Sequence, residues 1–123
     1  MKFKGEQNFQ HENEQKKGVL IAYLGTPDSP DVLSVRSYLK EFLSDPRIIE
    51  VPKIIWWFVL NIFILNFRSF NSARLYKSIW TDGGSPLLVN CIKIREKVQK
   101  SLPSNYQVAL GMRYGNPSIK SAL

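Results

Sequence analysis

Two segments of this chain leave their apolar runs in the same way. Residues 19–27 read VLIAYLGTP and residues 108–118 read VALGMRYGNPS, and each passes from an apolar run through Gly and a small polar residue to Pro. Proline cannot continue a central ladder and suits the first turn of a helix, so each segment reads as a strand delivered into a βα loop. Side chains at such strand ends line the crevice where open α/β sheets bind their ligands. The second exit is followed by only nine residues, Gly115 to Leu123. That is too short for the helix and partner strands such an architecture needs, and the expectation is a truncated chain.

Gly18–Leu24 is a nearly continuous apolar run, as in a parallel strand covered on both faces, and Gln107–Met112 is its counterpart. Ser29-Pro30 supplies an N-cap and a proline at the first helical position. Val35, Tyr38, Leu39, Phe42 and Leu43 then mark one helix face, ended by Asp45-Pro46. Asn71 or Ser72 reads as the cap of a further short helix through Tyr76 and Trp80 that stops at Gly83-Gly84. Ser85-Pro86 repeats the cap signature, with Leu87, Cys91, Ile94 and Val98 as the apolar stripe until Pro103. Asn116-Pro117 begins another helix. The order implies an α/β fold with a parallel pair and a right-handed crossover, whose long middle is an insertion of the kind that carries function.

The chain has 123 residues, enough for one small domain or part of one, and a formal net charge of +7. Residues 36–77 hold seven Lys/Arg against three acids and residues 93–120 hold six against one, with no polybasic block. This weakly signals nucleic acid and suits anionic small molecules or lipid head groups equally. Cys91 is the only cysteine, which excludes a disulfide framework or a cysteine metal cluster and fits a cytoplasmic setting. Residues 1–17 have no apolar core for a signal peptide and read as a polar, disordered extension, with the single histidine, His11, in it.

Ile54–Phe67 is apolar except for Asn61 and Asn66. It is shorter than the ~20 apolar residues of a spanning helix. Burial among other elements is the first reading; an amphipathic helix offering Trp56, Trp57, Phe58 and Phe63 to an interface is the second. The turn Thr81–Pro86 could hold an anion at a helix N-terminus, but a C-cap followed by an N-cap explains it as well, and it has no nucleotide-binding glycine pattern. Arg113 and Tyr114 stand at a strand end, where Arg can clamp a carboxylate and Tyr can stack or hydrogen-bond; a solvated strand end is the equal alternative. Arg68 and Arg74, near Tyr76, read as surface charges on composition alone.

LGTP at 24–27, YLKEFLSDPRIIEVP at 38–52, the Trp pair at 56–57, AxxYxSIWTxxGSPL at 73–87 and MRYGNPS at 112–118 come in a specific order and spacing. Together, over about residues 17–123, they resemble the N-terminal part of a bacterial ferrochelatase. The resemblance implies part of a doubly wound parallel-sheet domain, chelatase-like and Rossmann-like, spanning residues 18–123, with its second half and a second domain absent. It implies a lyase that inserts ferrous iron into a porphyrin to form protohaem, with iron as a substrate and no cofactor in this chain.

By the same resemblance, Arg68, Tyr76, Ser85, Arg113 and Tyr114 correspond to porphyrin-contacting positions, and Leu24, with Tyr23 beside it, lies close to the macrocycle face. Leucine at position 24 implies protoporphyrin IX rather than coproporphyrin. The helix around Tyr38–Leu43 and the aromatic run after Pro52 correspond to an apolar lip, which turns the reading from burial toward a peripheral membrane contact through Trp56, Trp57 and Phe58. The family's proton-accepting His and its Glu fall outside residues 1–123, so the chain is expected to be inactive alone, cytoplasmic or peripheral at a membrane, and without nucleic-acid partners. A non-catalytic porphyrin- or haem-binding module is the alternative, and a basic membrane or nucleic-acid adaptor ranks last.

Overall fold

The structure is a computed structural model and describes residues 15–123. Of the polar extension at residues 1–17, residues 1–14, His11 among them, lie outside the described part, and Lys17 already opens the first strand. Strand β1 (Lys17–Thr26) pairs in parallel with β2 (Tyr106–Gly115), with Val19 opposite Val108, Ile21 opposite Leu110 and Tyr23 opposite Met112. Both strands run past the apolar stretches that mark them in sequence and stop at the two Gly-containing exits. The fold is α/β, and both exits lie side by side at one end of the sheet.

The helix α4 (Pro86–Ser101) covers one face of this pair. Its Cys91 is buried with Leu110 and Met112, and Ile21, Tyr23, Leu88 and Ile92 pack around them. The buried stripe is therefore rotated from the expected one, and Leu87 and Ile94 point to solvent. Burial pushes the Cys91 thiol above its ordinary pKa, so the residue behaves as a small apolar group. The short helix α5 (Ile119–Ala122) meets the opposite face at Gly111, where an added Cβ would lie 2.9 Å from the Ile119 backbone. That contact explains a glycine inside a strand.

β1 is not covered on both faces. From Gly18 to Leu24 its residues alternate between exposed and half-buried, with Leu20 and Leu24 on the exposed side, and only Gly25 and Thr26 at the exit are buried. The continuous apolar run masks this, because a run without polar residues has no period to read.

Helix α1 (Val32–Leu43) buries Val35, Tyr38, Leu39 and Leu43, as its periodicity requires. Its N-cap is Asp31 rather than Ser29: the Asp31 carboxylate accepts from Ser34 N–H at 2.9 Å, and the Ser29 hydroxyl donates to Asp31 in turn. An aspartate at this position both caps the helix and complements its positive end.

The segment after Pro52 departs most from expectation. Helix α2 (Lys53–Phe58), a π-helical stretch Val59–Ile64 and helix α3 (Leu65–Ile79) run as one continuous rod, so Asn71 and Ser72 lie inside a helix and cap nothing. Asn61 and Asn66 also stay within it, donating side-chain hydrogen bonds to the carbonyls of Trp57 and Ile62, both at 2.8 Å. One face carries the core: Leu60, Leu65, Ser69 and Ala73 are buried, the apolar ones against α1. Leu60 and Leu65 are five residues apart, a spacing that an α-helix would send to different faces and a π turn aligns.

This rod is long and apolar enough to cross a bilayer by length and composition. Spanning would require giving up its packed side against α1. Simple burial is equally excluded, because Ile54, Trp57, Phe58, Phe63, Phe67 and Phe70 are exposed. Trp56 differs from its neighbour: its indole N–H donates to the Leu43 carbonyl at 2.7 Å and its ring packs on the α1 core, so it is withdrawn from any surface offered by Trp57 and Phe58.

Candidate functional site

The two strand exits interlock. Gly25 and Gly115 both have positive φ, +127° and +80°. Gly25 lies opposite Tyr114 and Thr26 opposite Gly115. A Cβ on Gly25 would fall 1.9 Å from the Tyr114 carbonyl oxygen, and one on Gly115 would fall 2.6 Å from that of Thr26. Each glycine lets the neighbouring strand's backbone close in, which brings both exits to one point.

Tyr38 of α1 lies beneath that point. Its phenol donates to the Gly25 carbonyl at 3.1 Å, and its ring stacks parallel to Phe42, which in turn meets Tyr114 edge-on at 5.2 Å. Burial, first, and then the neighbouring phenols and Glu41 push the Tyr38 pKa up to about 12. The neutral form is the one that fits, so this contribution to stability is complete below about pH 10, the ordinary tyrosine value, and is lost as pH rises through about 12. Alkaline unfolding followed by circular dichroism is therefore expected within that window. Tyr38→Phe, which removes the ionisation, moves its midpoint upward, whereas an unmoved midpoint assigns the transition to other groups.

Asp45, which the sequence marks only as a helix stop, organises the top of the site. Its Oδ1 accepts from Arg47 N–H at 2.9 Å, and its Oδ2 accepts from the Tyr114 hydroxyl at 2.7 Å and from Arg113 Nη2 at 2.8 Å. The Arg47 amide, the Tyr114 hydroxyl and the Arg113 charge hold this carboxyl below its usual range. The Arg113 guanidinium also lies 5.0 Å from the Tyr114 ring centroid, within cation–π reach. Arg113 and Tyr114 thus differ in availability. Tyr114 is buried and its hydroxyl is committed, while the Arg113 side chain is 49% exposed at an open recess of about 670 Å³ shared with Lys40, Glu41, Asp45 and Arg47.

The remaining candidates are spread more widely. Tyr23 and Leu24 are consecutive on a strand and face opposite ways: Tyr23 packs toward Met112, and Leu24 is 54% exposed. Tyr76 of α3 packs on the core that contains Tyr38 and Tyr114, and meets Trp80 edge-on at 6.3 Å. Arg68 is exposed on α3. Ser85 is buried and its hydroxyl accepts from Leu88 N–H at 3.2 Å as the N-cap of α4. The preceding turn closes on itself through paired bonds between Thr81 and Gly84, both at 3.0 Å, which engage the amides of those two turn residues. Among the described residues no group of three or more His, Cys, Asp or Glu side chains is placed to hold a metal ion.

The family model for ferrochelatase matches residues 16–123. A ferrochelatase of Alcanivorax borkumensis is 51% identical over all of this chain and 37% of its own length. One of Thioalkalivibrio sulfidiphilus is 46% identical over all of the chain and 34% of its length, and one of Coxiella burnetii is 52% identical over 90% of the chain and 31% of its length. The chain spans about a third of the length of these curated relatives. No solved structure matches.

Proposed function

This chain belongs to the ferrochelatase family, and we propose on that premise that it forms part of one wall of a porphyrin cleft, as the N-terminal portion of a lyase that inserts ferrous iron into protoporphyrin IX. The family match over residues 16–123 carries the reading. The site chemistry is compatible with it. A porphyrin is an apolar disc with two carboxylates on one edge, so its wall needs aliphatic and aromatic surface beside a cation. Here Leu24 stands exposed at one strand exit and Arg113 at the adjacent one.

Iron insertion also requires two pyrrole protons to leave the ring, and a base must take them. We assign that step to a His and a Glu outside this chain. The exposed outer side of the rod adds a peripheral membrane contact to the proposal, through Ile54, Trp57 and Phe58 and without Trp56. Residues 51–81 contain Lys53, Arg68, Arg74 and Lys77 and no acid, which suits an anionic surface.

The test is a titration of mesoporphyrin into the chain, followed by quenching of tryptophan fluorescence. Saturable quenching is expected, weakened about tenfold in Arg113→Ala, the loss of one charge-assisted carboxylate contact. Addition of ferrous iron is expected to leave the porphyrin spectrum unconverted. Linear, unsaturable quenching defeats the binding reading; haem formation by the chain alone defeats the assignment of the base to residues elsewhere.

A further inference from the structure

We propose that Asp45 is the positioning residue of the site: it holds the Arg113 guanidinium at the recess rim as a preorganised carboxylate clamp. The proposal rests on the reading of Arg113 as a porphyrin contact and goes beyond it, because Asp45, with both carboxylate oxygens already engaged, acts through Arg113.

A lone arginine at a strand end is a poor clamp. Its side chain samples many rotamers, and ordering it on binding costs affinity. Asp45 removes that freedom in advance. The carboxylate is itself fixed from two sides, by the Arg47 amide on Oδ1 and the buried Tyr114 hydroxyl on Oδ2, before it accepts one Nη of Arg113. The Tyr114 ring, 5.0 Å from the guanidinium carbon, supplies a second surface. Among the described residues this is the only ion pair, and it is asymmetric, with the Asp45 side chain 8% exposed and that of Arg113 49%. A half-exposed guanidinium bonded through one Nη leaves further N–H groups for an incoming carboxylate.

The division of labour is also visible in sequence distance. Asp45 and Arg113 are separated by 68 residues, and the loop after α1 must fold over the end of β2 for them to meet. Asp45 is held by its own loop through Arg47 N–H, so the carboxylate stands ready whether or not Arg113 is engaged.

The experiment has two arms, each on wild type, Asp45→Asn and the control Gly18→Ala, whose added Cβ meets nothing within 4 Å, with thermal melts to confirm folding. The first arm reads Arg113 directly, from the proton exchange rate of its side-chain Nη–H groups by NMR. Asp45→Asn, which keeps the shape and loses the charge, is expected to speed exchange at least about tenfold, while Gly18→Ala, at the end of β1 remote from the strand exits, leaves it within about twofold. The second arm compares mesoporphyrin with its dimethyl ester, which has the same ring and no carboxylates. Wild type and Gly18→Ala are expected to favour the free acid about tenfold, and Asp45→Asn to lose most of that preference with unchanged affinity for the ester.

Slow Arg113 exchange persisting in Asp45→Asn overturns the positioning role, as does a retained free-acid preference in that variant. Equal loss of both affinities in folded Asp45→Asn assigns the residue a merely structural role and also overturns it. A wild-type chain with an ordered Arg113 and no preference between the two porphyrins overturns the porphyrin reading of the site, a failure that the NMR arm separates from failure of the positioning.

Discussion

Replacing Gly25 by Ala is expected to cost roughly 3 kcal/mol or more and to leave much of the chain unfolded at ambient temperature. Two penalties coincide. The backbone at position 25 has φ of +127°, a conformation that an L side chain rarely adopts. The new methyl group would also sit 1.9 Å from the Tyr114 carbonyl oxygen, inside any allowed contact. Neither can be relieved locally, since the obstacle is backbone in the paired strand rather than a side chain that could swing aside. Parting the strands there would also release the Tyr38 phenol from the Gly25 carbonyl. Gly18→Ala in the same strand is the control. Nothing lies within 4 Å of its added Cβ, so it is expected to change stability by no more than about 0.5 kcal/mol. Urea unfolding of the two variants against wild type reads both numbers, and similar midpoints for all three would refute the interlock of the strand exits.

The same comparison shows what a linear sequence discloses about this fold. The glycines at 25 and 115 are recognisable as turn residues before a proline, and the alternation of Val35, Tyr38, Leu39 and Leu43 discloses α1, because both signals are local. That the two exits close on each other is a property of the register, which no local pattern carries. Asp45 was hidden for the same reason. Beside Pro46 it looks like a helix stop, and its partners Arg113 and Tyr114 are remote in sequence. The only clue was the pairing of three groups, a carboxylate, a phenol and a guanidinium, at the ends of elements that an α/β topology brings to one edge.

The rod from Lys53 to Ile79 is not legible in the sequence because its cues are individually ambiguous. Asparagine and serine favour caps when their side chains compete for backbone groups, yet here Asn61 and Asn66 satisfy carbonyls inside the helix. The period of 3.6 also fails across residues 59–64, where the π turn adds a residue. A search for an unbroken helical period therefore splits the element in two, and the tertiary contact with α1 makes it one.

That contact supplies the second large effect. Leu65→Ala is expected to cost about 2–5 kcal/mol, the range for a buried leucine whose removal leaves a cavity. Leu65 is 1% exposed and lies where the π turn hands over to α3, packed with Leu60 and the Val35 and Leu39 face of α1. No residue of α2 is fully buried, so the segment that carries Trp57 and Phe58 is gripped by half-buried Trp56 and by the turn around Leu60 and Leu65. Collapse of the site is hindered, because the Tyr38 bond to Gly25 ties α1 to the strand exit. Phe67→Ala, two residues on, removes a larger side chain that is 70% exposed, and is expected to change stability by no more than about 0.5 kcal/mol. Because Leu60 and Leu65 share neighbours, Leu60→Ala combined with Leu65→Ala is expected to cost less than the sum of the singles, by at least about 0.5 kcal/mol. Chemical unfolding of the four variants measures these differences. If Phe67→Ala proves as costly as Leu65→Ala, or if the two leucines act independently, the π turn does not align them on one face and the rod packs on α1 in another register.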